Sequence, residues 1–416
     1  MAIFVQGSGP IGGRVKVQGA KNAVLPMIAA AALTEETIVL KKCPCIQDVF
    51  DMTETFEKMG GESSGQEDCL VLEGKKLHCP MIQCQAAERI RASVLFMGSV
   101  LARMGKVTIC YPGGCSIGSR PIDLHIHAFR KMGVEITEEE RVLACEAPEG
   151  VRGAEVTLAY PSVGATENIL LLAVLARGTT TIRNSAREPE IVQLCRLLIS
   201  MGASIQGAGS PTIIIKGVKR LHGACVTVAN DRVAALTYAL LTAGCGGDVF
   251  LETEPVFSIC EKKLLQELGC DMQWDEAGLR VTQQGAPRKS PYICTGPYPE
   301  FPTDGQSLLM PVLCKGSGSS TIEEKVFENR FAMVSQLRKM GADIDMICNR
   351  ARINGVTRLH GARVDACDLR SGAGLMIAGA MAEGKTTIYN EQYIFRGYEN
   401  ILNNLQKIGI EAGEED

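Results

Sequence analysis

Lys58-Met59-Gly60 returns along the chain as Lys131-Met132-Gly133, Ser200-Met201-Gly202, Glu267-Leu268-Gly269, Lys339-Met340-Gly341 and Lys407-Ile408-Gly409. Each glycine ends a helix-like segment and is followed by a short apolar strand. Glycine accepts the left-handed conformation that terminates a helix, so the six sites read as C-caps. Successive glycines lie 73, 69, 67, 72 and 68 residues apart. Units of that length exceed solenoid repeats and can each hold two helices and several strands.

Within each unit an Ala/Leu-rich helix comes first, over 22–33, 92–104, 166–177, 232–243, 304–314 and 371–382. A β-branched strand follows, over 37–40, 106–110, 179–182, 248–252, 319–323 and 385–389. A second helix then runs to the glycine. The first helices are apolar nearly all round, as expected of helices packed inside with sheets outside. Six such units divide into two domains of three, the number that 416 residues favours.

Net charge is −4, with 43 basic and 47 acidic residues intermixed. Nothing global therefore favours nucleic acid or an anionic membrane, and an anion site must be local. The first nine residues lack a basic and apolar leader pattern, and no apolar run is long enough to span a bilayer. The expectation is a cytoplasmic protein. Seventeen scattered cysteines without a CxxC pair suggest reduced thiols rather than a disulfide framework or zinc site. Five histidines form no ligand cluster, so no metal is expected.

Charged residues recur at helix starts. Lys21, Arg91, Arg232, Asp304 and Arg370 open first helices, and Arg120, Glu188, Arg330 and Arg396 open second helices. A cation at a helix N-terminus opposes the dipole, and its repetition suggests a bound anion gathered by Lys21, Arg91, Arg120, Arg330, Arg370 and Arg396. The plainer alternative is a set of solvated charges and surface ion pairs. Residues 111–125 carry Cys115 among Gly113, Gly114 and Gly118, outside any apolar period, near Arg120. Such a thiol is equipped to donate a proton or act as a nucleophile, where a buried cysteine would only pack. Residues 160–168 form a turn feeding a helix, suited to a phosphate or to a plain N-cap. Residues 295–304 deliver Asp304 to a helix start, as a cap or as a general base among arginines.

Gly19-Ala20-Lys21-Asn22, Arg91-Ala92-Ser93, the 112–118 stretch with Arg120-Pro121-Ile122-Asp123-Leu124-His125, Pro161-Ser162-Val163-Gly164-Ala165-Thr166, Arg187-Glu188-Pro189-Glu190-Ile191, Phe301-Pro302-Thr303-Asp304, Glu328-Asn329-Arg330-Phe331 and Arg396-Gly397-Tyr398 are collinear along nearly the whole chain. Together they resemble the UDP-N-acetylglucosamine 1-carboxyvinyltransferase family. The resemblance implies an α/β (α+β) fold of two inside-out α/β barrel domains, each of three βαβαββ repeats. One domain would span 21–228 and the other 1–20 with 229–416, with the active site in the cleft between them. It implies transfer of the enolpyruvyl group of phosphoenolpyruvate to the 3-hydroxyl of UDP-N-acetylglucosamine, the first committed step of peptidoglycan synthesis, without a cofactor.

By the same resemblance Cys115, Asp304, Lys21 and Arg396 are catalytic, with Cys115 the acid toward the methylene carbon and Asp304 the base for the sugar hydroxyl. Lys21, Asn22, Arg91, Arg120, Arg330, Arg370 and Arg396 would hold phosphoenolpyruvate. Asn22, Arg91, Arg120, Pro121, Ile122, Asp123, Leu124, Ser162, Val163, Gly164, Asp304 and Val326 would hold the nucleotide sugar, with Glu188 and Asp368 in support. The chain departs from the family at Asn230, Ala234, Leu236, Glu300 and Leu308, of which Leu236 and Glu300 would bear on the acceptor. The alternatives are a paralogue acting on another nucleotide sugar or nucleoside, a 5-enolpyruvylshikimate-3-phosphate synthase, and a non-catalytic UDP-sugar-binding regulator. The shikimate enzyme lacks the Cys loop and the 161–166 stretch present here.

Overall fold

The computed structural model describes residues 2–111, 117–118, 121–288 and 292–415. The chain forms two compact units, one of residues 1–18, 116–119 and 230–416, the other of 19–115 and 120–229. Each encloses its own apolar core, one running from Ala20 to Val228 and the other from Ile3 to Val17 and on from Val233 to Ala412.

All six repeat glycines adopt the left-handed conformation, with φ between 86° and 100°. Each ends its helix with the same pair of hydrogen bonds. At the first, Gly60 N–H donates to the Glu57 carbonyl and Gly61 N–H reaches back to the Phe56 carbonyl, and the pattern repeats through Gly409 and Ile410. This Schellman closure satisfies carbonyls that the helix end leaves without partners and turns the chain into the next strand.

In the unit built from 19–229 the inner helices are Lys21–Ala31, Phe96–Met104 and Val163–Ala173. In the other they are Arg232–Cys245, Thr303–Cys314 and Leu369–Met381. Leu369–Met381 has every residue but the first buried, so the helix is enclosed on all faces, which explains its lack of a polar stripe.

Six four-stranded sheets cover these helices among the described residues, and all share one order. In the third repeat Glu155–Thr157 runs parallel to Thr179–Arg183, which pairs antiparallel with Thr212–Lys216 and then Ser204–Gln206. Two sheets of the 230–416 unit borrow strands from the chain's beginning. Ile11–Lys16 runs parallel to Gly247–Glu252, and Ala2–Gln6 fits antiparallel between Lys385–Tyr389 and Ala412–Glu415. In the other unit Ala224–Thr227 returns to Thr37–Lys41. Each ring of three repeats is thus closed by a distant segment of chain.

Four expected helices differ in detail, the one expected over 166–177 lying earlier at Val163–Ala173. The one expected over 92–104 divides into a 3-10 turn, Arg91–Leu95, and the helix Phe96–Met104. The fifth repeat's second helix is only Val334–Lys339, so Arg330 lies in the turns before it rather than opening it. The sixth repeat's second helix breaks into Gln392–Phe395 and Ile401–Lys407. Arg396 caps the C-terminus of the first piece, which is where a cation suits the dipole.

Candidate active site

In the 19–229 unit Lys21 is the first residue of its helix and only 9 % exposed. Its Nζ lies 2.6 Å from the Asp48 carboxylate, on the first turn of the next helix. The misfit between a lysine and a helix N-terminus is thereby met by an internal acid. Arg232 opens its own helix in the other unit against buried Glu261 in the same way. No sequence pattern marked Asp48, which reads as an ordinary acid in the first turn of a helix.

Asn22, next to Lys21, is half-buried. Arg91 opens the 3-10 turn, and its guanidinium donates to the Pro121 carbonyl at 3.3 Å. Pro121 and Asp123 are exposed, Ile122 is buried and Leu124 half-buried. Pro121, Ile122 and Asp123 line a cavity of about 350 Å³ with Tyr111, Ile126, His127, Arg130 and Glu138. Ser162 caps the helix Val163–Ala173, its hydroxyl accepting the Ala165 N–H, and Val163 and Gly164 are half-buried at the same turn. Glu188 is buried at the N-cap of Pro189–Ser200 and accepts the Arg187 N–H at 2.9 Å.

The 230–416 unit gathers a tighter cluster. Asp304 receives Arg330 on one oxygen at 2.5 Å and Arg370 on the other at 3.0 Å. Both arginines are almost fully buried, at 2 % and 3 % exposure, while Asp304 stays partly open. Arg330 also reaches Asp368 at 3.4 Å and the Thr303 hydroxyl at 3.3 Å. Asp368 itself caps Leu369–Met381 in a reciprocal capping box with Ser371. Arg370 donates to the Tyr398 hydroxyl, which in turn meets Thr237 at 2.7 Å. Burial is the largest single influence and works against the Arg370 charge, but Asp304, Tyr398 and Asp231 together outweigh it and the guanidinium is held more firmly protonated than usual. Val326 is half-buried, its N–H bound to Glu324 at 2.7 Å, and Glu324 also accepts from Thr303. Arg396 is half-buried two residues before Tyr398.

The structure therefore brings together Asp304, Arg330, Asp368 and Arg370 in one unit, and Arg91 with Pro121 in the other. Thr303, Thr237 and Glu324 join the first group unannounced, because their contacts span folded rather than local distances. Cys115 and Arg120 lie outside the described residues. Ile117 is within them, and its carbonyl accepts the Asn329 N–H at 3.0 Å. Among the described residues no group of three or more His, Cys, Asp or Glu is placed to hold a metal ion, and no helix is long and apolar enough to cross a membrane.

The family model of EPSP synthase (3-phosphoshikimate 1-carboxyvinyltransferase) matches residues 5–405. A UDP-N-acetylglucosamine 1-carboxyvinyltransferase of Ruegeria pomeroyi is 41 % identical, over 98 % of both chains. One from Finegoldia magna is also 41 % identical, over 95 % of both. The chain belongs to the UDP-N-acetylglucosamine 1-carboxyvinyltransferases, within the EPSP synthase family. The enolpyruvyl transferase NikO of Streptomyces tendae, 20 % identical, superposes with a TM-score of 0.87 over 100 % of this chain and 99 % of that one. An EPSP synthase of Acinetobacter baumannii, 19 % identical, gives 0.74 over the whole of both. These two establish the shared fold, with its sheets around enclosed helices.

The carboxyvinyltransferase departures find local explanations. Leu236 is fully buried, and a Cβ on Gly305 would stand 3.0 Å from it, so its bulk is accommodated within the core. Asn230 donates from its side chain to the Val17 carbonyl at 2.6 Å and from its backbone N–H to Glu254 at 3.3 Å, which fixes it at the entry to the helix Arg232–Cys245. Glu300 is exposed and folds its carboxylate over Gly296. Ala234 and Leu308 are buried on inner helices.

Proposed function

We propose that the chain transfers the enolpyruvyl group of phosphoenolpyruvate to the 3-hydroxyl of UDP-N-acetylglucosamine and releases phosphate, the first committed step of peptidoglycan synthesis. The observation that carries this reading is the partly open Asp304 carboxylate held by Arg330 and Arg370 in a chain 41 % identical to relatives of that name. The sugar oxygen bonds to C2 of phosphoenolpyruvate as its proton leaves and C3 gains one. Loss of phosphate with a proton from C3 then restores the double bond. A base, a carbon-directed acid and cationic groups for a multiply charged anion are what this needs.

Asp304 takes the hydroxyl proton, and its two guanidinium partners fix the carboxylate and favour its ionised form. Lys21, Arg91, Arg120 and Arg396 bind the phosphate and carboxylate of phosphoenolpyruvate, with Asn22 beside them. Residues 120–124, Ser162 to Gly164 and Val326 hold the nucleotide sugar. Glu188 and Asp368 support these groups. Cys115 protonates C3. The reading places the reaction in the cytoplasm.

Phosphate release by the purified chain with both substrates tests it. Release that Cys115→Ser suppresses, and that the thiol-alkylating epoxide fosfomycin abolishes, is expected. UDP-sugar binding without release would reject turnover, and full activity after prolonged fosfomycin exposure would reject the role of the thiol.

A further inference from the structure

His125 is 5 % exposed on the helix Asp123–Lys131, and its partner Asn168 is fully buried on Val163–Ala173. Three contacts fix the Asn168 amide. Its Oδ1 accepts the Gly98 N–H at 2.8 Å, while its Nδ2 donates to the Val94 carbonyl at 2.9 Å and lies 2.9 Å from His125 Nδ1. An oxygen that accepts a backbone N–H must be the carbonyl end, so the end facing His125 is the NH2 group. A Cβ on Gly98 would collide with Asn168, so the helix Phe96–Met104 comes close enough to hold the amide only because that position is glycine.

Facing a donor, Nδ1 of His125 must be an acceptor. A neutral imidazole then carries its proton on Nε2. That edge lies against Gly164, where a Cβ would stand 3.6 Å from Nε2 and 3.5 Å from Cε1. The imidazole therefore packs against the turn at Gly164 through its Nε2–Cε1 edge.

We propose that His125 is a positioning residue for the nucleotide sugar. Asn168 locks it as the neutral Nε2–H tautomer, and in that form it braces the turn at Gly164 and keeps a donor of fixed direction beside it. The inference rests on the assignment of Ser162, Val163 and Gly164 to the UDP-sugar. A charged ring would need a proton on Nδ1, where it would meet the Asn168 NH2 head-on, so the bracing group stays uncharged. A Cβ at 164 would rest in ordinary van der Waals contact with the ring, so the imidazole and the turn are closely packed.

The test uses steady-state phosphate release by the full chain. His125→Ala is expected to raise KM for UDP-N-acetylglucosamine about tenfold, the effect of one lost hydrogen bond, with KM for phosphoenolpyruvate changed less than about twofold. His125→Gln, whose terminal N–H reaches near the Nε2 position, is expected to recover most of the loss. Unchanged KM for the sugar in His125→Ala, or no recovery with glutamine, would overturn the proposal. Because alanine also loosens packing, the tautomer is read directly in the unaltered chain by nitrogen-15 NMR of labelled histidine. The His125 signals are assigned by their absence from His125→Gln. A protonated Nε2 with a bare Nδ1 is expected; an imidazolium or the opposite tautomer overturns the inference. If the unaltered chain releases no phosphate, the proposed reaction fails, and calorimetry of UDP-N-acetylglucosamine binding judges His125 instead. There about tenfold weaker binding by His125→Ala supports the inference, and equal affinity refutes it.

Discussion

Asp304 is the residue whose surroundings speak most directly to chemistry, since each of its oxygens meets a buried guanidinium. Asp304→Ala is expected to lower kcat by about 10²–10⁴-fold, the usual span for a lost general base. Stopped assays of phosphate release check this, and activity within threefold of the parent would remove the residue from that role. Glu167 offers a pH test. It is enclosed on Val163–Ala173, and burial, reinforced by the negative charges of Glu190 and Glu188, pushes its carboxyl well above the ordinary range. The folded state therefore holds a proton that the unfolded chain releases, and stability from this group falls as pH rises above the ordinary carboxylate pKa. Glu167→Gln should match the parent's melting temperature near pH 4 and exceed it increasingly toward neutrality. A constant offset across that range would contradict the sign. Asp304 and Arg370 were legible because helix starts are local features, whereas Arg330 was expected to open a helix and lies in the turns before one. Lys21 was legible too, but its partner Asp48 was not, nor was the amide that orients His125, because each pairing joins different helices.

At the scale of elements, the six C-caps were the clearest part of the sequence, since a Schellman end is written within six residues. Helix breaks were less visible. Gln392–Phe395 and Ile401–Lys407 are separated by Asn400 in the left-handed conformation, which interrupts a segment whose apolar pattern reads straight through. The caps also differ in what surrounds them. A Cβ at Gly133 would meet nothing within 4 Å, whereas one at Gly60 would run into the His78 ring. Gly133→Ala is expected to cost about 1–2 kcal/mol, the penalty of the left-handed backbone alone. Gly60→Ala should cost more, because strain and overlap act together. Urea unfolding of both variants measures the difference, and equal losses would show that His78 yields without penalty.

At the scale of the molecule, two separate cores predict two folding units. A chain of residues 19–229 is expected to unfold cooperatively by itself, since all its sheets are built from its own strands. Residues 230–416 alone should not, because they lack Ala2–Gln6 and Ile11–Lys16; adding 1–18 through a linker should restore a sigmoidal urea curve followed by circular dichroism. Cooperative unfolding without that segment would contradict the borrowed strands. The twofold division followed from counting repeats, whereas the strand exchange did not, because a strand's partner is chosen by the finished ring. The same exchange sets an order of events on the ribosome. Ala2–Gln6 is among the first segments made, yet the sheet it belongs to lacks its edge until Ala412–Glu415 has emerged. The 19–229 unit is complete long before, while the opening strands of the other unit wait through nearly the entire translation.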